Sequence, residues 1–209
     1  MATRPAWTIQ DNKVVRRDFE FTWNGGFAMV QKQKNVVNLH NSIQTTTGAT
    51  VLEVSQASLV NLGKNLSAFN LKYNGVYVEN IFQSSKKFEY GGSYKDLLEV
   101  SPRQAKLDER LQTSGRLVSF EFNGEKWGLE PKTHFYDYIY IKALIENYGY
   151  DLDLDKYVWF TDIFLNPKKS INCQARAVAI YKLLKTLDMF NSLDSKESWL
   201  NFHKTYVMG

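Results

Sequence analysis

Polar and apolar positions alternate along residues 14–23, VVRRDFEFTW, which set Phe19, Phe21 and Trp23 on one side and Asp18, Glu20 and Thr22 on the other. A period of two predicts a half-buried strand. Asn24-Gly25-Gly26 ends it, and FAMVQKQKNVVNLHNSI changes to helical spacing, with Phe27, Val30, Val37 and Ile43 on roughly one face. After the turn TTTGA, TVLEVS (50–55) predicts a second strand. The next stretch is loop-like, with Gly63, Asn65, Ser67 and Asn70 close together, until Tyr73-Asn74-Gly75 signals a turn before the short strand VYV.

VENIFQSSKKFEYGG (78–92) predicts a helix from near Glu79, stopped by Gly91-Gly92. Glu79, Gln83 and Lys86 then line one stripe, and Ile81, Phe82 and Ser85 take the opposite side. Ser101-Pro102-Arg103-Gln104 is a capping box with proline at the first helical position, opening a helix to about Ser114 that Gly115 ends. RLVSFEFNGEKWGL predicts a hairpin around Asn123-Gly124. Thr133 is placed to cap HFYDYIYIKALIENY, which Gly149 closes. DLDLDKYVWFTDIF has some strand character, and Ser170 and Ser195 are placed to cap two last helices. With no repeat and no linker, a single α+β domain with more helix than strand is the simplest organisation.

Composition adds modest constraints. The chain of 209 residues is 44% hydrophobic and 23% charged, an ordinary globular balance that allows a real core. Its 13 Phe, 12 Tyr and 5 Trp fill cores before they stack on bases. A net charge of +4 is compatible with a polyanion, and the short basic clusters at 13–17, 31–34, 86–87 and 167–170 each read as solvated faces. Cys173 is the only cysteine, which excludes an intrachain disulfide. With an N-terminus, MATRPAWTIQ, that lacks an apolar signal region, it predicts a cytoplasmic protein. No apolar run approaches the roughly 20 residues that span a bilayer.

Candidate chemistry is sparse. Asp151, Asp153, Asp155 and Asp162 have the spacing of a calcium loop, but Lys156 replaces the glycine that the turn needs. His40, His134 and His203 are scattered, so no metal is expected, and no nucleotide fingerprint or nucleophile elbow is present. The Glu79–Gln83–Lys86 stripe remains. It is either a solvated helix face or, between Phe82 and Phe88, one wall of a cleft in which a few polar groups orient a ligand on an apolar lining.

The segment NLSAFNLKYNGVYVENIFQSSKKF (65–88) resembles the signature of the NADAR family, whose members associate with NAD and ADP-ribose chemistry. Leu66, Ser67 and Phe69 match its first part, and Glu79, Gln83 and Lys86 match its second in register. GFAMVQKQKNVVNLH, FQSSKKFEYGGSYKDL, THFYDYIYIKAL and DIFLNPKKSINCQARA resemble the subgroup of antitoxins encoded beside DarT-type DNA ADP-ribosyltransferase toxins. The likeness runs from about Phe19 to Leu184. Ala68 stands where the broader family has asparagine, with Asn70 close by, and Asn80 replaces the histidine after the glutamate. The second departure favours the toxin-linked subgroup.

The resemblance implies a mainly helical α+β, YbiA-like (NADAR) fold over 1–209, with residues 14–45 as an N-terminal strand–helix extension. It implies hydrolysis of the N-glycosidic bond of ADP-ribosyl-guanine in DNA, reversing the toxin, with no metal or cofactor. Glu79 would stabilise charge at the ribose C1 or shuttle the proton, and Lys86, its pKa lowered by burial beside Lys87, would attack C1. Ser67, Phe69, Asn70 and Gln83 would hold the ribose and base. Gly91 and Gly92 would approach the diphosphate and Tyr94 cover it. Asp137 would take a substrate hydroxyl, and Asn172 and Gln174 open a helix aimed at a phosphate. Two alternatives stand beside this: the same chemistry on a free nucleotide-like metabolite, and a non-catalytic ADP-ribose-binding module.

Overall fold

The computed structural model describes residues 1–168 and 170–207. Lys169, within the basic cluster 167–170, lies outside the described residues, as do Met208 and Gly209. The fold is α+β, with two four-stranded sheets and a two-stranded one among eight helices of the described residues.

The chain opens with β1 (Ala2–Gln10), a strand that the sequence reading did not assign, in a hairpin with β2 (Lys13–Phe21). Asp11 and Asn12 turn it, both at positive φ. Phe19 and Phe21 point into the core as their alternation predicts. Helix α1 (Met29–Thr47) starts later than expected and buries a different face. Val36, Leu39 and Ile43 face β2, whereas Phe27, Val30 and Val37 are exposed. β3 (Val51–Glu53) follows. Among the loop-like residues there is a short helix, α2 (Asn61–Asn65), packed so closely that a methyl group on Gly63 would overlap the Glu53 carbonyl and Ser58.

β4 (Lys72–Tyr73) and β5 (Val76–Tyr77) form the small hairpin around Asn74-Gly75. It leads into α3 (Val78–Ser84), all seven residues of which are buried. The helix expected to run to Gly91-Gly92 ends there. Ser84 and Ser85 fold their hydroxyls back onto the Ile81 carbonyl. Lys86 then enters β6 (Lys86–Phe88), with β7 (Gly91–Gly92) as its hairpin partner, so those glycines are strand residues and not a helix stop. The capping box forms as read, but its helix breaks at Asp108 into α4 (Pro102–Leu107) and α5 (Arg110–Thr113). Arg110 folds back onto the Asp108 carboxylate at 2.8 Å across the break.

β8 (Leu117–Phe122) and β9 (Glu125–Trp127) form the hairpin expected at Asn123-Gly124, both at positive φ. The second sheet has the order β7-β6-β8-β9. Helix α6 (His134–Tyr148) ends at Gly149 as read, but Thr133 does not cap it: its φ is 73° and its hydroxyl turns to Asp137 at 3.2 Å. β10 (Trp159–Thr161) completes the first sheet, order β2-β1-β10-β3, with β10 parallel to β3. Helix α7 (Gln174–Leu187) begins after Cys173 and not after Ser170. Ser195 caps α8 (Lys196–Tyr206), accepting from the Ser198 amide at 3.1 Å.

The larger core gathers α3, α6, α7 and the second sheet, where Phe120 stacks on Phe135 at 4.7 Å and Tyr136 meets Phe82 edge-on at 5.1 Å. A smaller core lies between α1 and the first sheet. His40 on α1 reaches Thr161 at 2.9 Å, and Thr161 donates to the fully buried Glu53 at 2.7 Å, a polar link from helix to sheet.

Two histidines that look scattered in sequence converge. His134 and His203 lie with centroids 6.4 Å apart around Asp137, which is 0% exposed. Asp137 accepts from Arg176 at 2.6 Å and meets His203 at 3.0 Å. Burial works to raise its pKa, but Arg176 and His203 outweigh that and hold it below the usual carboxylate range. Through Oδ2 Asp137 ties α6, α7 and α8 together, while its Oδ1 is buried without a hydrogen-bond partner among the described residues. Arg176→Met should cost about 3–5 kcal/mol, because it leaves a buried carboxylate without its cation. Urea unfolding measures this; a loss below about 1 kcal/mol would refute the ion pair as a structural tie.

Candidate functional site

Glu79, Gln83 and Lys86 meet at the junction of α3 and β6. Glu79 and Gln83 are one turn apart on the helix, and the Gln83 amide donates to Glu79 Oε1 at 2.7 Å. Lys86 joins them from the strand, its Nζ donating to Gln83 Oε1 at 2.6 Å. The row is therefore a hydrogen-bonded chain from acid through amide to amine, formed by a helix and a strand and not by one helical stripe. β6 is held by β8, with Lys86 opposite Phe120, and the Glu121 amide donates to the Ser85 carbonyl at 2.7 Å.

A fourth group was not visible in the spacing. Lys106, on α4, places its Nζ 3.7 Å from Glu79 Oε1 and 5.2 Å from the Phe69 ring centroid. It is half exposed, whereas Glu79 and Gln83 are each 5% exposed. Asn80 explains how α4 comes to lie there: its amide donates to the carbonyls of Leu97 and Val100, both at 2.7 Å. The asparagine that replaces the broader family's histidine is committed to backbone support.

Lys86 sits over the Phe82 ring, 4.8 Å from its centroid. Burial lowers its pKa to about 8; the Glu79 charge opposes the shift and Lys106 adds to it. The second cation is thus Lys106 and not Lys87, which donates to the Gly92 carbonyl at 2.7 Å. Tyr136, packed on Phe82, brings a phenol toward the same cluster, and burial followed by the Glu79 charge pushes its pKa up. It stays a neutral donor.

The loop before β4 forms the other side. The Ala68 amide donates to Gln174 Oε1 at 2.7 Å, and the Ala68 carbonyl accepts from the Glu79 amide at 3.1 Å. Gln174 is in turn held by Asp162, Nε2 to Oδ2 at 3.1 Å. Gln174 therefore positions the loop that carries Ser67 and Phe69 rather than opening a phosphate site. Ser67 is buried, its Oγ 3.4 Å from the Phe69 amide. Asn70 is exposed and donates to the Lys64 carbonyl at 2.9 Å, so its side chain closes α2 and does not replace the family's asparagine at the cluster.

Gly91, Gly92 and Tyr94 are in the adjoining hairpin and the turn after it. Tyr94 bonds to Ser114 and lies under the Arg110 guanidinium at 4.4 Å. Asn172 is half-buried just before α7, and Asp137 belongs to the α6–α7–α8 tie. The structure thus gathers Glu79, Gln83, Lys86 and Phe69, with Gln174 behind them, and leaves Asn70 and Asp137 elsewhere. Among the described residues no group of three or more His, Cys, Asp or Glu is placed to hold a metal ion.

Compared with known families, the chain matches the family model described as DarT1-associated NADAR antitoxin over residues 2–208. It belongs to that family. No curated protein matches it. The family is described by its association with DarT1 and by an antitoxin role. Among the described residues no helix is long and apolar enough to cross a membrane. Within this NADAR chain the family's glutamate, glutamine and lysine occupy one connected cluster, and Lys106, Tyr136 and Asp162 are additions that only the folded arrangement reveals.

Proposed function

We propose that this NADAR antitoxin is an N-glycosyl hydrolase that removes ADP-ribose from guanine in DNA. The observation that carries the reading is the Glu79–Gln83–Lys86 chain, a carboxylate and an amine of lowered pKa linked through an amide at 2.7 and 2.6 Å. Breaking the C1–N bond develops positive charge at C1, which a nearby carboxylate stabilises.

In the proposed sequence neutral Lys86 bonds to C1 as the bond to guanine nitrogen breaks. Glu79 takes the proton that the amine sheds and passes it to the departing nitrogen, restoring the guanine amine. The sugar ring opens to a protonated Schiff base on Lys86, its ring oxygen taking a proton from solvent that the hydrolysis step returns. Water then adds at C1 and expels the amine, so one water is consumed and ADP-ribose and free Lys86 are regenerated. Tyr136 donates toward the site, Phe69 offers a stacking face, and no cofactor is required. Residues 1–209 act in this reading as one NADAR-like domain with the strand–helix extension at about 14–45.

The test is incubation with an oligonucleotide carrying ADP-ribosyl-guanine, following released ADP-ribose as salt is raised. Release whose KM rises steeply with salt supports a DNA substrate. Tight binding without release would replace the reading with a binding module, and release only from free nucleotides with a metabolite enzyme.

A further inference from the structure

The tie between α6, α7 and α8 leaves polar atoms over. Arg176 and His203 both donate to Oδ2 of Asp137, at 2.6 and 3.0 Å, while Oδ1 has no hydrogen-bond partner among the described residues. Close by, Nε of Arg176, Nδ1 of His203, Nε1 of Trp127 and both ring nitrogens of His134 are buried in the same condition. Asp137 is 0% exposed, Trp127 and His134 1% and His203 3%. The rings do not satisfy one another. His134 stands at 78° to Trp127, centroids 5.7 Å apart, and at 84° to His203, centroids 6.4 Å apart. Edges therefore meet faces, and no ring nitrogen has a neighbour's lone pair in line.

Leaving these atoms unpaired would cost a sum comparable with the whole stability of a domain. Something completes them, and their polarity selects it. Trp127 Nε1 and Arg176 Nε can only donate, and Asp137 Oδ1 can only accept. His203 gives its Nε2 proton to the carboxylate, so Nδ1 of the neutral ring offers a lone pair. Burial and then His203 lower the His134 pKa to about 4 against the pull of Asp137, so near pH 7 one of its nitrogens donates and the other accepts. Donors and acceptors thus balance. An anion would meet the Asp137 charge, a cation the Arg176 charge, and an apolar molecule would satisfy none of them. Water donates and accepts equally.

We propose that β9, α6, α7 and α8 enclose an internal hydration site, in which about two ordered water molecules, each making about three hydrogen bonds, join Asp137 Oδ1 to His134, His203 and Trp127. The inference stands independently of the glycosidase reading. It makes α8 adhere to the domain through bridging solvent as well as through the Asp137 ion pair, and it gives His134, which no protein group orients, a fixed tautomer.

The experiment is NMR on the full isotope-labelled chain, recording NOE and ROE transfer from water to the carbon-bound ring protons of His134, His203 and Trp127. All three rings should show water cross-peaks of opposite sign in the two spectra, the mark of water held longer than the protein takes to tumble. The same peaks should persist in Thr133→Val, which removes a hydroxyl beside Asp137 that could relay the signal. His134→Phe removes two of the polar atoms, and the peaks at His203 and Trp127 should fall by roughly half as one water loses its partners. Absence of water cross-peaks in the folded wild type overturns the proposal, and so does their loss in Thr133→Val. Peaks that His134→Phe leaves unchanged place the water elsewhere and overturn it equally. If His134→Phe does not fold, the wild-type and Thr133→Val spectra still decide. Should the rings be dry and thermal stability rise with chloride alone, the occupant is an anion and the water reading is wrong.

Discussion

Glu79→Gln should slow ADP-ribose release from ADP-ribosyl-guanine DNA by about a hundredfold to ten-thousandfold, the range that a positioned acid–base group contributes. The substitution keeps the shape of the side chain, so the acceptor for the Gln83 amide, at 2.7 Å in the wild type, is retained. What disappears is the charge and the capacity to take a proton. Folding should persist, because an amide is cheaper to bury than a carboxylate that is 5% exposed. Single-turnover rates with the modified oligonucleotide, alongside its Kd, separate chemistry from binding. A variant that releases ADP-ribose at the wild-type rate would remove Glu79 from the mechanism.

The second large effect concerns Lys86. The proposed attack needs the neutral amine, and a pKa lowered to about 8 makes that form plentiful in mildly alkaline solution. The rate should rise as pH increases through about 8 and level off above it, whereas an ordinary lysine would still be rising near pH 10. Neighbouring charges shift this limb in opposite directions. Lys106 lowers the Lys86 pKa, so Lys106→Met should move the limb to higher pH. Glu79 raises it, so the residual activity of Glu79→Gln should have its limb at lower pH. Borohydride added during turnover should fix an adduct of ADP-ribose mass on Lys86, and Lys86→Arg should abolish both adduct and release. If no adduct forms and Lys86→Arg stays active, Lys86 acts as a fixed charge beside the substrate and not as a nucleophile.

Much of the fold was legible where signals are local. Asn123-Gly124 needs only its own two residues to make a turn, and the Ser101 and Ser195 caps need only the next helical turn. The reading failed where distant partners decide. Lys86 is spaced correctly for the stripe, but Phe120 draws it into a sheet. The inner face of α1 depends on what β2 offers, and that selects Val36 and Leu39 over Val30 and Val37. β1 escaped because its own alternation is weak, its pairing supplied almost entirely by β2 and β10.

The candidate site divides in the same way. Glu79, Gln83 and Lys86 were visible because family likeness and spacing agreed on them. Lys106 was invisible because α4 reaches Glu79 only through the Asn80 tether, and nothing in the spacing of the two residues signals it. Asp137, read as a group awaiting substrate, has Arg176 and His203, contributed by helices far along the chain.

The Asn80 tether also bears on how quickly the cluster can open. Because one amide on α3 grips the carbonyls of Leu97 and Val100, the segment leading into α4 cannot lift without breaking two hydrogen bonds, one buried and one half-buried, at the base of the proposed acid. The part left free at the rim is the half-exposed side chain of Lys106. Its rotation takes picoseconds to nanoseconds, against microseconds or more for the movement of a segment. In the proposed reaction, admission past Lys106 would then be fast and would leave the rate to chemistry or to product release.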